Sequence, residues 1–195
     1  MVVTLLLAAF VTIILGLGMP TPSAYILGAV LVGPALSEVG VPILEGHMFL
    51  LYYAILSALT PPIAVAALAA AAIAEEDPFI IAFDAVRLAA VGFLMPFVFI
   101  WNPAILGQGT GLAIAFVGVG GVVAALAVAV SFEWIGKATG SRTAWPLRGL
   151  LTLGAAASVA PNLLISAVGI VATLAVLGVL YRSSPPTSTD APTHA

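Results

Sequence analysis

"GLGMPTPSAY" (residues 16–25) interrupts a run of apolar residues that would otherwise read as one membrane helix. Gly16, Gly18, Pro20 and Pro22 fall within seven residues, and "SALTPPIAV" (57–65) repeats the interruption further on. In hydrocarbon, each unpaired backbone N–H or C=O costs several kcal/mol. Proline removes a donor and deprives the carbonyl one turn earlier of its partner. Broken backbone at membrane depth must therefore be covered by protein or line a watery cavity. The fold turns on whether these breaks are simple kinks or the ends of half-helices that meet around a site.

Composition sets the medium. The 195 residues are 63% hydrophobic and 7% charged, with a mean hydropathy of +1.25. A soluble domain carries about 25% charge, so the chain reads as an integral membrane protein with almost no water-facing domain. The apolar runs are rich in Ala, Leu, Val and Gly and lack period-two alternation, which favours helices over a membrane barrel. There is no cysteine, and the two histidines, His47 and His194, are far apart. Disulfides and thiolate metal sites are excluded, and zinc or Ser–His–Asp chemistry has little to work with. The net charge of −3 supplies no basic stripe for nucleic acid. Residues 1–17 lack a positive n-region and a small-residue cleavage site, so they do not read as a signal peptide.

The pattern predicts helices at 1–17, 23–37, 43–59, 63–74, 78–101, 111–132 and 147–181, the last broken at Pro161. The tail 183–195, "SSPPTSTDAPTHA", has the composition of disordered chain. A span needs about 20 apolar residues; 78–101 and 111–132 reach that length, and the others do not. Segments 43–59 and 63–74 pair into one helix broken at Thr60-Pro61-Pro62. Segments 1–17 and 23–37 form either a re-entrant hairpin or another broken element, with Gly18-Met19-Pro20-Thr21-Pro22 at its tip. Lys137, Arg142 and Arg148 share one loop, which the positive-inside rule assigns to the cytoplasm. That puts 102–110 outside, Glu75–Asp77 inside and, if 43–74 is one broken span, 38–42 outside.

Both breaks carry hydroxyls: Thr21 and Ser23 at the first, Ser57 and Thr60 at the second. Hydroxyl and carbonyl oxygens are neutral hard ligands suited to a monovalent cation, and secondary transporters place sodium at such unwound helices. A sodium site at Thr21, Ser57 and Thr60 is the expectation.

"LGMPTPSAYILGAVLVGPALSEVGVP" and "FLLYYAILSALTPPIAVAALAAAAIAEEDPFIIAFDAVRLAAVGFLMPFVFIWNPAIL" together resemble the C-terminal half of the large permease subunit of tripartite ATP-independent periplasmic (TRAP) transporters. The similarity is greatest to the form that fuses small and large membrane subunits. It spans about residues 12–106, and the C-terminal helices more weakly. It implies an all-α integral membrane protein of five to seven helical segments, one inverted repeat of an elevator-type transporter. It implies sodium-coupled uptake of organic anions delivered by a soluble solute-binding protein, and no enzymatic activity. Carried over, Gly18, Met19, Pro20 and Thr21 with Ser57, Thr60, Pro61 and Pro62 would flank one sodium site and part of the substrate site. Residues 1–106 would be the C-terminal repeat of the transport domain, 107–182 additional transmembrane helices, and 183–195 a tail. A full permease has two repeats and a scaffold. The expectation is thus a fragment working with the remaining permease, the small subunit and lipid in the inner (cytoplasmic) membrane as a multi-pass protein.

Other features read more plainly. Asp84 and Arg87 sit at i and i+3 on one helix face, as an interfacial pair rather than a substrate anchor. Glu45 and His47 read as headgroup-level residues rather than a proton relay. Tyr52, Tyr53, Trp101, Trp134 and Trp145 fit an interfacial belt or core packing. "GVGGVVAALA" (118–127) is a small-residue face for close helix packing. Pro161-Asn162 marks a third break without an assigned role. Two competing readings remain: a small membrane scaffold or assembly protein whose breaks are packing devices, and an unrelated elevator symporter such as a divalent-anion carrier.

Overall fold

The structure is a computed structural model that describes residues 1–133 and 141–182, with side chains described for 1–130 and 149–178. Every regular element among them is helical. The chain divides into two compact units, Met1–Thr110 and Gly111–Ala195.

In the first unit, α1 (Val2–Gly16) stops at the first break. Leu17 turns extended and Gly18 takes φ +75°, which glycine adopts without a Cβ penalty. Pro20 then stands at the N-cap of α2 (Thr21–Leu31), with Pro22 in its first turn, where a missing N–H costs nothing. The sequence predicted one helix over 23–37, but the structure cuts it at Val32 and starts a short α3 (Gly33–Glu38). Pro34 explains the cut, because it has no N–H to offer the Val30 carbonyl.

Helix α4 (Ile43–Leu56) runs into a 3-10 turn at Ser57–Leu59, and α5 (Val65–Ala74) resumes after the second break. Asp77 caps α6 (Pro78–Leu88), accepting from the amides of Phe79 at 2.8 Å and Ile80 at 3.3 Å. The chain then turns at Ala89 into α7 (Ala90–Trp101). The expected single span 78–101 is therefore a bent pair, angled by 40°. Ala89 sits at φ −81°, ψ 5°, its amide bonding the Ala85 carbonyl at 2.9 Å and its carbonyl accepting from the Phe93 amide at 3.3 Å. Pro96 inside α7 removes the donor for the Gly92 carbonyl and weakens the same stretch.

The core of this unit joins α1, α3, α4 and the 39–42 loop through Leu5, Leu36, Val41, Phe49, Leu50, Tyr53 and Leu56. Helix α7 packs on α4, while α6 packs on α5. The α5–α6 pair has its own small core of Ala64, Ala67 and Ala82.

The second unit consists of α8 (Gly111–Glu133), α9 (Ser141–Ser158) and α10 (Leu163–Arg182), each packed on the other two. Its core is Ala127, Leu151 and Ala155. The third sequence break falls between α9 and α10, as Pro161 requires. Small residues let these backbones approach: a Cβ on Gly120 would lie 2.9 Å from the Ser158 carbonyl carbon. Among the described residues, one helix, Gly111–Val130, is by itself long and apolar enough to cross a membrane, and the bent α6–α7 pair passes the same test jointly. Trp134, Lys137, Arg142, Trp145, Arg148 and the tail 183–195 lie outside the described side chains.

Candidate functional site: two helix breaks in contact

The end of α1 lies against the second break. A Cβ placed on Gly16 would come within 2.7 Å of the Ser57 Cβ and 3.4 Å of the Ala24 Cβ. Gly16, Ala24 and Ser57 are all buried, so α1, α2 and the end of α4 converge on one point. Two residues on, Gly18 faces Ile63, whose Cδ1 would lie 3.3 Å from an added Cβ. The two interruptions thus touch within one unit, buried at Gly16 and Ser57 and exposed at Gly18 and Ile63.

The backbone here is irregular on both sides. The Met19 amide bonds the Gly16 carbonyl at 3.2 Å, and the Ala24 amide bonds the Pro20 carbonyl at 3.1 Å. No side chain caps α2, so the hydroxyls of Thr21 and Ser23 are not spent on its N-terminus. Across the gap, the Thr60 amide reaches the Ser57 carbonyl and the Ala64 amide reaches the Thr60 carbonyl, each at 3.2 Å. Pro62 has no N–H to give the Ala58 carbonyl. Ala64, a non-glycine residue, sits at φ +39° as the chain turns into α5.

The hydroxyls of the second break point their protons at α4. Ser57 Oγ, 1% exposed, donates to the Ala54 carbonyl at 2.8 Å. Thr60 Oγ1, in a half-buried residue, donates to the Leu56 carbonyl at 2.8 Å. Each oxygen keeps its lone pairs. Thr21, Met19 and Pro61 are half-buried; Gly18, Pro20, Ser23 and Pro62 are exposed. The contacts bring Gly16 and Gly18 onto Ser57 and Ile63. No hydrogen bond joins Thr21 to Ser57 or Thr60 among the described residues.

Gly16, Ala24 and Ile63 escaped the sequence reading as contact residues. Gly16 was visible as the first of four breakers, but a contact partner 41 positions away cannot be read from local pattern.

Other polar groups lie elsewhere. Glu45 is 2% exposed and accepts from Gln108 Nε2 at 3.0 Å, so it is buried within the protein. Gln108 stands between Gly107 (φ +79°) and Gly109 (φ +116°), a turn that places its amide over the start of α4. His47 is exposed and its Nδ1 is 3.0 Å from the Tyr25 hydroxyl. Glu45 and His47 thus have separate partners. His47 lines a cavity of about 310 Å³ with Ala29, Gly33, Pro34, Ser37 and Pro42. Asp84 and Arg87 are both exposed.

Chain-internal covering of broken, apolar helices is the architecture of membrane carriers rather than of soluble catalysts. The family model described as tripartite ATP-independent periplasmic transporter, DctM component, matches residues 1–114, more than half of the chain. The protein belongs to this family and is a membrane permease component. Searches of the curated proteins and of the solved structures found no match.

Proposed function

We propose that the chain is the part of a TRAP-type permease that binds sodium and couples it to the uptake of organic anions. One observation carries the reading: the Gly16–Gly18 turn lies against Ser57 and Ile63, so two broken helices meet at one junction. Helix ends of this kind offer carbonyl oxygens at one side and an uncapped N-terminus at the other, the ingredients for a monovalent cation beside an anion. Thr60, Ser57 and Thr21 contribute hydroxyl oxygens; Met19, Pro20, Pro61 and Pro62 shape the backbone. The other participants would be the remaining permease, a small membrane subunit and a soluble solute-binding protein, in the cytoplasmic membrane. By the positive-inside rule the segment carrying Lys137 and Arg142 faces the cytoplasm.

Sodium-dependent thermal stabilisation of the complete permease carrying this sequence tests the reading, with choline chloride as the control salt. For a dissociation constant on the order of 1 mM, 100 mM sodium adds about 2.7 kcal/mol to stability. Thr60→Ala deletes one oxygen and little volume, so it should weaken sodium affinity by about tenfold, the worth of one good oxygen contact, at near-normal protein level. A sodium response unchanged from wild type in Thr21→Ala, Ser57→Ala and Thr60→Ala alike would abandon the site.

A scaffold without transport is the second reading. It is favoured by the two second-break hydroxyls already bonding their own helix. In that case, sodium and choline give the same melting temperature.

A further inference from the structure

Tyr53 stands on α4 outside both breaks and is 2% exposed. The phenol donates to the main-chain carbonyl of Phe93 in α7 at 2.7 Å. Its ring sits edge-on to Phe49 and Phe97, with centroids 4.8 and 6.3 Å away. Phenylalanine would fill this aromatic nest equally well. A buried hydroxyl costs free energy unless bonded, so its use here lies in the bond.

The bond falls where α7 is weakest. Pro96 removes the donor for the Gly92 carbonyl, and the chain has already bent at Ala89. Gly92, one residue before the bonded carbonyl, packs on Leu56: a Cβ there would lie 3.5 Å from Leu56 Cδ2. The Leu56 carbonyl in turn accepts the Thr60 hydroxyl, and the Ala54 carbonyl, next to Tyr53, accepts the Ser57 hydroxyl. Two routes therefore run from α7 to the second break, one from Phe93 through Tyr53 and its neighbour Ala54 to the Ser57 hydroxyl, the other from Gly92 through Leu56 to the Thr60 hydroxyl.

We propose that Tyr53 is a positioning residue for the second break: its bond to Phe93 holds the proline-weakened part of α7 on α4, and that wall fixes the oxygens of Ser57 and Thr60. The inference rests on the sodium reading above and adds to it a residue outside both breaks.

Hydrogen exchange on the purified complete permease carrying this sequence, in detergent, in sodium chloride or choline chloride at equal ionic strength, tests it. Tyr53→Phe should speed exchange across residues 90–97 by about tenfold, the loss of one buried hydrogen bond. It should also raise the sodium concentration that half-protects residues 57–64 by about fivefold, and leave 111–130 unchanged. Phe97→Leu disturbs the aromatic packing but keeps the hydroxyl bond. It should lower the melting temperature without moving the sodium midpoint. If wild-type 57–64 is protected by sodium and Tyr53→Phe shows the same midpoint, Tyr53 is only a packing residue and the proposal is overturned. It is equally overturned if Phe97→Leu shifts the midpoint as far as Tyr53→Phe, because packing alone then accounts for the effect. If sodium protects nothing in the wild type, the sodium reading itself fails and takes the positioning role with it.

Discussion

Two parts of the first unit, joined by the second break, are built on opposite plans. The α1–α4 and α7 bundle is held by large side chains: Leu5, Leu36, Phe49, Leu50 and Tyr53 are all nearly fully buried. The α5–α6 hairpin is held by alanines, with Ala64, Ala67 and Ala82 as its core and Ile81 packed against them. Large interlocking side chains resist sliding, because each knob must leave its hole before the helix moves. Alanine faces let backbones approach closely but interlock little. The difference teaches where this molecule keeps its shape and where it can change it. The rigid bundle carries Gly16 and Ser57, while the hairpin begins immediately after Pro61 and Pro62.

The comparison can be broken at several places. Phe49→Ala is the heaviest blow, for it empties a fully buried site contacted by Tyr53 and Phe97. In lipid the transfer part of the loss shrinks while the cavity part stays, so about 3 kcal/mol is expected. A large fall in melting temperature with loss of the whole first unit's exchange protection checks it; loss confined to α4 would deny that the bundle is one cooperative piece. Gly16→Val comes next, since any Cβ there runs into Ser57. Overpacking of this kind costs about 1–3 kcal/mol, and it should disturb residues 57–63 as well as 16–20. Protein whose exchange changes only near residue 16 would mean that the two breaks do not press on each other.

The hairpin should respond locally. Ala82→Leu forces apart α5 and α6, where Ala82 is 2% exposed, at a cost of about 1–2 kcal/mol. Exchange should rise over 65–88 while α4 keeps its protection. Asp77→Ala removes the cap that holds the Phe79 and Ile80 amides and should cost about 1 kcal/mol, felt as fraying of the first turn of α6. The smallest effect has the opposite sign. Ala64→Gly relieves a left-handed alanine at φ +39°. The strain relieved is about 1 kcal/mol, part of it returned as the extra freedom glycine has in the unfolded chain. A slight rise in melting temperature is expected, and a fall would show that the methyl of Ala64, 5% exposed, matters more than its backbone.

Much was legible in the sequence because it depends on short-range chemistry. Proline without an N–H must end or bend a helix, so the breaks at Gly18–Pro20, Thr60–Pro62 and Pro161 could be placed by reading alone. Hydropathy and the lack of charge determined the helical membrane class. The motifs around "GMPT" and "LTPP" led to the family. The bend at Ala89 was not legible: no proline stands there, and the residue is an ordinary helix former that turns because α6 packs on α5 and α7 on α4. The burial of Glu45 was not legible either, since nothing local announces that Gln108, 63 positions later, comes back to bond it. What the tertiary structure alone decided is which surfaces touch. That Gly16 meets Ser57, that Gly18 meets Ile63, and that Tyr53 holds Phe93 all follow from packing between segments far apart in the chain. Local preference has no term for such contacts; only the need to cover the broken backbone and fill the space between helices selects them.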